Sequence, residues 1–140
     1  MPKAALRYPG VFSARFDAAA GITTHEWLDY NPEDADPLIR KILDDIHRDF
    51  VATGSTKVLV VADRTRGAFS PEIRKFIAKV QFPRIAADTK LRFVATVLPT
   101  DEVRAAYAML WRRQLVVSER FIQADFTDVA SARAWLETMP

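Results

Sequence analysis

The stretch KVLVVADRTRGAFSPEIRKFIAKV, residues 57–80, largely determines the predicted fold class. Its apolar segment, Val58 to Ala62, carries no charge and no two-residue alternation, which is typical of a strand buried on both faces of a parallel sheet. After the charged turn, Ser70 is placed to accept a hydrogen bond from a free helix N–H, and Pro71 suits the first helical position. We therefore predict a central strand followed by a helix.

The apolar residues of this predicted helix fall on a single face, because they recur at the spacing of a helical turn. They are Ile73, Phe76, Ile77 and Val80, whereas Arg74, Lys75 and Lys79 occupy the other face. Burial of the four apolar side chains should therefore hold the helix against the sheet. The following residues, Phe82 to Lys90, are predicted to be a connector.

Further elements lie on both sides of this unit. Alternating residues predict strands at Val11 to Asp17 and Ile22 to Leu28, which form an antiparallel hairpin. A helix should follow, with Asp36 as its N-cap and Gly54 at its end. Two more strands are predicted, at Leu91 to Leu98 and at Arg120 to Asp125. Between them we predict a helix that is capped by Thr100 and has an apolar face of Val103, Ala106, Tyr107, Leu110 and Trp111. A last helix, capped by Thr127 or Asp128, should turn inward the residues Val129, Ala132, Trp135 and Leu136.

This order predicts a single α/β domain over residues 1–140. Its mixed β-sheet combines an antiparallel hairpin with parallel β-α-β units and packs with about four helices. Residues 1–9 are predicted to be a loosely ordered lead-in. The chain has 140 residues, of which 49% are hydrophobic, enough to form a core without disulfides or a metal. An exposed sheet edge at the hairpin leads us to expect a homodimer.

Composition narrows the class of protein. The chain contains no cysteine, so disulfides and thiolate chemistry are excluded, and a reducing cytoplasm is the expected location. Met1 to Gly10 contains no apolar run, and no segment approaches the ~20 apolar residues of a membrane helix, so we expect neither a signal peptide nor a membrane span. With 20 basic and 18 acidic side chains, the charge is too balanced to indicate a nucleic-acid partner.

The candidate binding site lies where the central strand meets the next helix, which is where open α/β sheets bind ligands. Backbone N–H groups there attract anions, and arginines would strengthen a phosphate or carboxylate site. The candidate residues are Asp63, Arg64, Arg66 and Ser70, with Arg74 and Lys75 as the adjoining contact face for a protein partner. The alternative is that Asp63 pairs with Arg64 or Arg66 at the surface and Ser70 only caps the helix.

Several segments together resemble a known family. They are the hairpin residues Phe16-Asp17 and Gly21-Ile22, the segment VLVVADRTRGAFSPE (58–72), the strand FVATVLP (93–99) leading into Ala105-Ala106, and the ending FTDVASARAWL (126–136). With these segments the chain resembles the small bacterial SpoIIAA-like family, a relative of the STAS domains of anti-sigma-factor antagonists. The resemblance covers nearly the whole chain and consists of packing and capping patterns.

The resemblance implies a non-catalytic interaction or regulatory module. STAS domains are often switched by phosphorylation of a serine at the start of the helix after the central strand, which makes Ser70 the possible phosphoacceptor. The Asp-Ser-(Ser/Thr)-Gly pattern of such sites is absent here, and Pro71 follows Ser70. A phosphate at Ser70 would change a recognition surface that includes Arg74 and Lys75.

We expect no enzyme, cofactor or metal site. No glycine-rich phosphate loop, nucleophile elbow or catalytic carboxylate pair is visible. His25 and His47, the only histidines, are predicted to be surface or half-buried residues. The alternative function is a carrier or sensor of a small apolar or lipid-like ligand, as in the distantly related CRAL-TRIO fold. Aromatic residues would line its pocket or form ordinary core: Trp27, Trp111, Trp135, Phe12, Phe16, Phe76 and Tyr107.

Overall fold

Within the described part of the chain, the fold is a six-stranded mixed sheet with helices on both faces. The computed structural model describes residues 4–99 and 120–140. In spatial order the strands are β1 Ala4–Tyr8, β2 Phe12–Asp17, β3 Ile22–Trp27, β4 Lys57–Val61, β5 Phe93–Val97 and β6 Ile122–Phe126. Strands β1, β2 and β3 pair antiparallel, and β3 to β6 pair parallel. The α/β class and the mixed sheet are therefore confirmed.

The described residues contain three helical segments, one fewer than the predicted number. Helix α1 spans Ala35–Thr53, and the last helix, α4, spans Val129–Thr138. Between them, α2 (Pro71–Phe76), a π-helix (Ile77–Gln81) and α3 (Phe82–Asp88) follow one another without a break. The helix predicted after Thr100 lies outside the described residues.

The first described residues form a strand, so the predicted loosely ordered lead-in is wrong for Ala4–Tyr8. This strand, β1, pairs with β2, and its register shifts between Ala4 and Leu6. The Tyr8 hydroxyl donates a hydrogen bond to Asp45 of α1, which fastens the strand to the helix layer. The sheet edge on this side is therefore β1 and not the predicted hairpin strand β2.

Three of the predicted helix ends are confirmed and one is wrong. Ser70 Oγ accepts a hydrogen bond from the backbone N–H of the third helical residue of α2 at 3.2 Å, and Asp128 caps α4 in the same way at 2.7 Å. Gly54 ends α1 in the left-handed region at φ 65°. Asp36 is not the N-cap of α1, because the helix begins earlier, at Ala35, and the Asp36 carboxylate instead accepts a hydrogen bond from Ser70.

The predicted connector after Gln81 is also wrong, because the chain continues as α3. Pro83 has no N–H to donate and normally ends a helix. Here the π-helix precedes it, and the Phe82 N–H bonds five residues back to Ile77. The wider turn also changes which residues face the sheet: Gln81 is buried, whereas Val80, which we predicted to face inward, is 40% exposed.

The sheet separates two hydrophobic cores. One lies between the sheet and helices α1, α2 and α3, with Phe12, Trp27 and Phe50 among its members. The other lies beneath α4, where Ala132 and Leu136 are fully buried as predicted, but Val129 is 42% exposed. Among residues 4–99 and 120–140, none of the helices combines the length and apolarity that crossing a bilayer requires.

Candidate functional site

The loop after β4 is held by the loop after β3. The Thr65 hydroxyl donates to the Trp27 carbonyl at 2.8 Å, and the Arg66 N–H donates to the Leu28 carbonyl at 3.0 Å. In return, the Arg66 carbonyl accepts from the Tyr30 N–H at 2.9 Å. These bonds extend the pairing of the two strands past their carboxyl ends, so the predicted site rests on a fixed backbone.

The charged residues of this loop lie at the surface. Arg66 pairs with Asp29 at 3.6 Å and not with Asp63, and its side chain remains 73% exposed. Arg64 is exposed and Asp63 is half-buried. An exposed ion pair of this kind contributes about 0–1 kcal/mol, so the loop conformation depends mainly on its backbone bonds.

Ser70 has two hydrogen bonds within the fold. Its oxygen caps α2, and its hydroxyl proton is donated to the Asp36 carboxylate at 3.0 Å. On α2, Arg74 is half-buried and Lys75 is exposed. Ser70 therefore caps α2 as the alternative expected, but it also bonds to Asp36, and the expected pair of Asp63 with Arg66 is replaced by the pair of Arg66 with Asp29. The six candidate residues occupy one loop and the first turns of one helix.

A cavity of about 400 Å³ lies beneath this loop, between the sheet and the helix layer. It reaches from the carboxyl ends of the parallel strands to the inner faces of α1, α2 and α3. Among the described residues its walls are apolar or uncharged: His25, Trp27, Tyr30, Leu43, Ile46, Phe50, Val58, Val60, Ala62, Thr65, Gly67, Ala68, Phe69, Ile77, Gln81, Phe82, Ile85, Leu91, Val94, Thr96, Leu98, Pro99 and Gln123.

Five rings from β3, α1 and the two loops form one side of the cavity: His25, Trp27, Tyr30, Phe50 and Phe69, called the aromatic wall below. Trp27 and Phe69 meet edge to face, with ring centroids 5.4 Å apart. Tyr30 and Phe69 lie closer, at 4.1 Å. Such pairs contribute about 0.5–1.5 kcal/mol each beyond the burial of their area, so the wall is a well-packed surface.

Two polar side chains of the cavity already have partners. Thr65 bonds to the backbone of β3, as described above. Gln81 donates to the Leu43 carbonyl of α1 at 2.9 Å, and its oxygen accepts from Arg84 at 2.9 Å. Both side chains therefore fix the cavity's walls.

His25 differs from these residues because its Nε2 has no hydrogen-bond partner. The residue is only 5% exposed, so the prediction of a surface or half-buried histidine is wrong. Its ring stands 5.2 Å from Phe12 and 5.2 Å from Phe50, centroid to centroid. Burial among these apolar rings lowers the pKa of His25 to about 3, so its imidazole is neutral at pH 7.

The alternation of side chains along β3 could have predicted the burial of His25. Thr23, His25 and Trp27 point to the same side of a strand, and a tryptophan on that side indicates a core face. His47, the other histidine, lies on α1 and pairs with Asp88 at 2.9 Å. The two histidines are therefore separate, and among the described residues no group of three His, Asp or Glu side chains could hold a metal ion.

The aromatic residues considered for a pocket lie in several different places in the fold. Trp27 lines the cavity, and Phe12 lies in the core beside it. Trp135 lies on the opposite face of the sheet, 5.9 Å from Phe126. Phe76 stacks beneath the guanidinium of Arg40 at 4.5 Å and does not line the cavity. Trp111 and Tyr107 lie outside the described residues.

Fold and cavity together define the chain as an α/β protein with a mixed sheet and a largely apolar cavity between the sheet and its helices. Comparison of its sequence with protein-family models and with curated proteins, and of its structure with solved structures, finds no match.

Proposed function

We propose that this chain is a non-catalytic binding module that carries or senses a small apolar or amphipathic ligand. The observation that supports this proposal is the cavity of about 400 Å³, whose lining among residues 4–99 and 120–140 is uncharged and largely aromatic and aliphatic. Sites for small molecules typically have volumes of roughly 300–1,000 Å³ and mostly apolar linings with a few polar groups. The cavity has all three properties.

A space of this size is larger than the voids that separate packed side chains in a protein core. Protein interiors are close-packed, and voids larger than a water molecule are few. A cavity that was merely a packing defect would cost stability in proportion to its volume, about 24 cal/mol per Å³ in one well-studied series. A ligand that fills the space would recover dispersion and hydrophobic energy along the aromatic wall.

The test is titration with N-phenyl-1-naphthylamine, a neutral probe whose fluorescence rises in apolar surroundings. Val60 and Val61 are neighbours on β4, but Val60 lines the cavity, whereas Val61 packs towards α4. Val60→Phe should fill part of the cavity and abolish or strongly weaken probe binding. Val61→Phe makes the same substitution on the other face and should leave binding unchanged.

Both variants must first unfold cooperatively in a thermal melt, because overpacking costs about 1–3 kcal/mol. Absence of saturable probe binding to the wild-type chain would contradict the proposal. Equal loss of binding in the two variants would also contradict it, since the effect would then reflect general destabilisation and not the cavity.

A second candidate function is the protein-interaction or regulatory module implied by the SpoIIAA-like resemblance. It is favoured by the exposed cations Arg64, Arg66 and Lys75 on the loop and helix around Ser70. Reversing the charges of Arg66 and Arg74 should remove a protein partner that co-purifies with the chain. Arg15→Glu, at an exposed position on β2, is the matched control, and retention of the partner by the double variant would contradict this candidate.

The remaining proposals concern modification, assembly and location. Phosphorylation of Ser70 would replace a hydroxyl that now bonds to Asp36 with a dianion beside that carboxylate. The exposed edge strand β1 is the proposed contact in a homodimer, and the cytoplasm is the proposed location. Native mass spectrometry of the protein purified from its own source tests modification and assembly together, because it reports a phosphate increment and a doubled mass separately.

A further inference from the structure

One polar side-chain atom of a residue that lines the cavity is left without a partner. Among the described residues, the buried side-chain atoms that make no hydrogen bond are Thr23 Oγ1, His25 Nε2 and Asp49 Oδ2. Of these three residues, only His25 lines the cavity. A buried polar group without a hydrogen bond is unfavourable, so a native fold retains one mainly where something else satisfies it.

The ring of His25 is held in place by its neighbours. Phe12 and Phe50 contact it from β2 and α1, and Ala14 stands opposite it in the β2–β3 register. The strand pairing and the two ring contacts therefore fix the position at which a ligand would meet Nε2. The other polar groups described above, on Thr65 and Gln81, are occupied by bonds within the protein.

The described part of the cavity lining offers no charge that would balance an ionised ligand. No lining residue among those described is Asp, Glu, Lys or Arg. Burying an unpaired carboxylate or ammonium group is strongly unfavourable, whereas a hydroxyl needs only a hydrogen bond. A hydroxyl also suits either neutral form of the imidazole, because it can donate to a bare Nε2 or accept from an Nε2–H.

We infer that the cavity selects a neutral ligand with an apolar body and a hydroxyl group, and that this hydroxyl hydrogen-bonds to His25 Nε2. The inference rests on the proposed ligand-binding function and adds the chemical class of the ligand. His25 is the residue that determines specificity, and the aromatic wall supplies the contact with the apolar body.

The experiment uses three probes with one skeleton: 2-naphthol, 2-methylnaphthalene and 2-naphthoate. Dissociation constants are measured for the wild type, His25→Phe and the matched control His47→Phe, in which the same substitution is made at the histidine outside the cavity lining. The preference for 2-naphthol over 2-methylnaphthalene should fall about tenfold in His25→Phe, the effect of one hydrogen bond, and stay unchanged in His47→Phe. 2-Naphthoate should bind more weakly than 2-naphthol to the wild type.

A second measurement needs no variant. With only two histidines in the chain, ¹⁵N-histidine labelling gives a spectrum of two imidazoles. Addition of 2-naphthol should shift the His25 Nε2 resonance and leave that of His47 in place, whereas 2-methylnaphthalene should produce a smaller shift at Nε2. This measurement decides the question if His25→Phe does not fold.

The outcomes separate the two proposals. If none of the probes binds the wild type, the ligand-binding function itself fails. If the naphthalenes bind but the preference survives His25→Phe, or His25 Nε2 does not respond to 2-naphthol, the function stands and the inference is overturned. Tighter binding of 2-naphthoate than of 2-naphthol would overturn the neutral-ligand class.

Discussion

Replacement of His25 by phenylalanine should remove much of the acid sensitivity of this fold. The unfolded chain protonates His25 near its ordinary pKa of 6.5, but burial among Phe12 and Phe50 lowers the pKa in the folded state to about 3. Below pH 6.5 the unfolded state therefore binds a proton that the folded state excludes. The part of the free energy of unfolding that depends on neutral His25 is fully present above pH 6.5 and is lost as the pH falls towards 3.

The size of the effect follows from the separation of the two pKa values. Each pH unit below 6.5 costs about 1.4 kcal/mol, which gives about 2 kcal/mol between pH 8 and pH 5 and about 5 kcal/mol below pH 3. His25→Phe has no group to protonate and retains the apolar ring contacts. Its free energy of unfolding at pH 8 should lie within about 1.5 kcal/mol of the wild type.

The assay is urea unfolding followed by circular dichroism at pH 8, 7, 6 and 5, with His47→Phe as the control. Asp49 acts with the opposite sign, because burial raises its pKa, but all three proteins retain it and it cancels in the comparison. The wild type and His47→Phe should lose about 2 kcal/mol more than His25→Phe between pH 8 and pH 5. Parallel losses in the wild type and His25→Phe would show that the imidazole is not held neutral by burial.

Three further predictions concern Ser70, Gly54 and Tyr8. Ser70→Ala should lower the free energy of urea unfolding by about 1 kcal/mol, because it removes the N-cap of α2. Ser70→Asp should not restore this stability, because its carboxylate would lie beside that of Asp36, and wild-type stability of Ser70→Asp would contradict the contact between residues 70 and 36. Gly54→Ala should lower the free energy of unfolding by about 1 kcal/mol because the backbone at this position is left-handed; the added Cβ itself would meet nothing within 4 Å. An unchanged midpoint of urea unfolding would refute the left-handed conformation. The pKa of Tyr8, measured by ¹³C NMR, should be about 12, because burial and then the hydrogen bond and charge of Asp45 raise it. Asp45→Asn should bring this pKa closer to 10, and a value of 10 in the wild type would contradict the contact between Tyr8 and Asp45.

Local signals in the sequence predicted the central part of the fold. A continuous apolar run at Val58 to Ala62 and the Ser70-Pro71 helix start depend on neighbouring residues, and both are realised. The strand at Ala4–Tyr8 was missed because its existence depends on pairing with β2 and on the contact between Tyr8 and a helix far along the chain. Contacts with residues far along the chain cannot be recognised from the five residues of the strand alone.

Pro83 shows a different limit. From the neighbouring sequence alone, a proline after an apolar helix predicts that the helix ends there, since proline lacks the N–H that an α-helix needs. The π-helix before it changes the bonding pattern, and the buried residues then recur every fourth position: Ile73, Ile77, Gln81 and Ile85. The predicted face was right for Ile73 and Ile77 and wrong from Val80 onward, where the wider turn begins to act.

The sequence predicts where the candidate residues lie in the fold but not which residues they contact. The carboxyl end of the central strand does lie over a cavity, as the rule for open α/β sheets leads one to expect. The predicted charges, however, lie on the outer surface of the loop, and Arg66 finds its partner in Asp29, which precedes it by a whole helix and strand. Sequence spacing contains no information about such a pair, nor about empty volume between layers.

The partners of the cavity's polar groups suggest how it combines rigidity with selectivity. Thr65 ties the loop after β4 to β3, and Gln81 ties the π-helix to α1, so these two side chains stiffen different parts of the cavity wall. If either of them bonded the ligand instead, binding would loosen the wall that forms the site. His25 has no such structural bond to break, and its place on a central strand gives it little freedom to move. A ligand hydroxyl can therefore be recognised there without disturbing the walls that hold its apolar body.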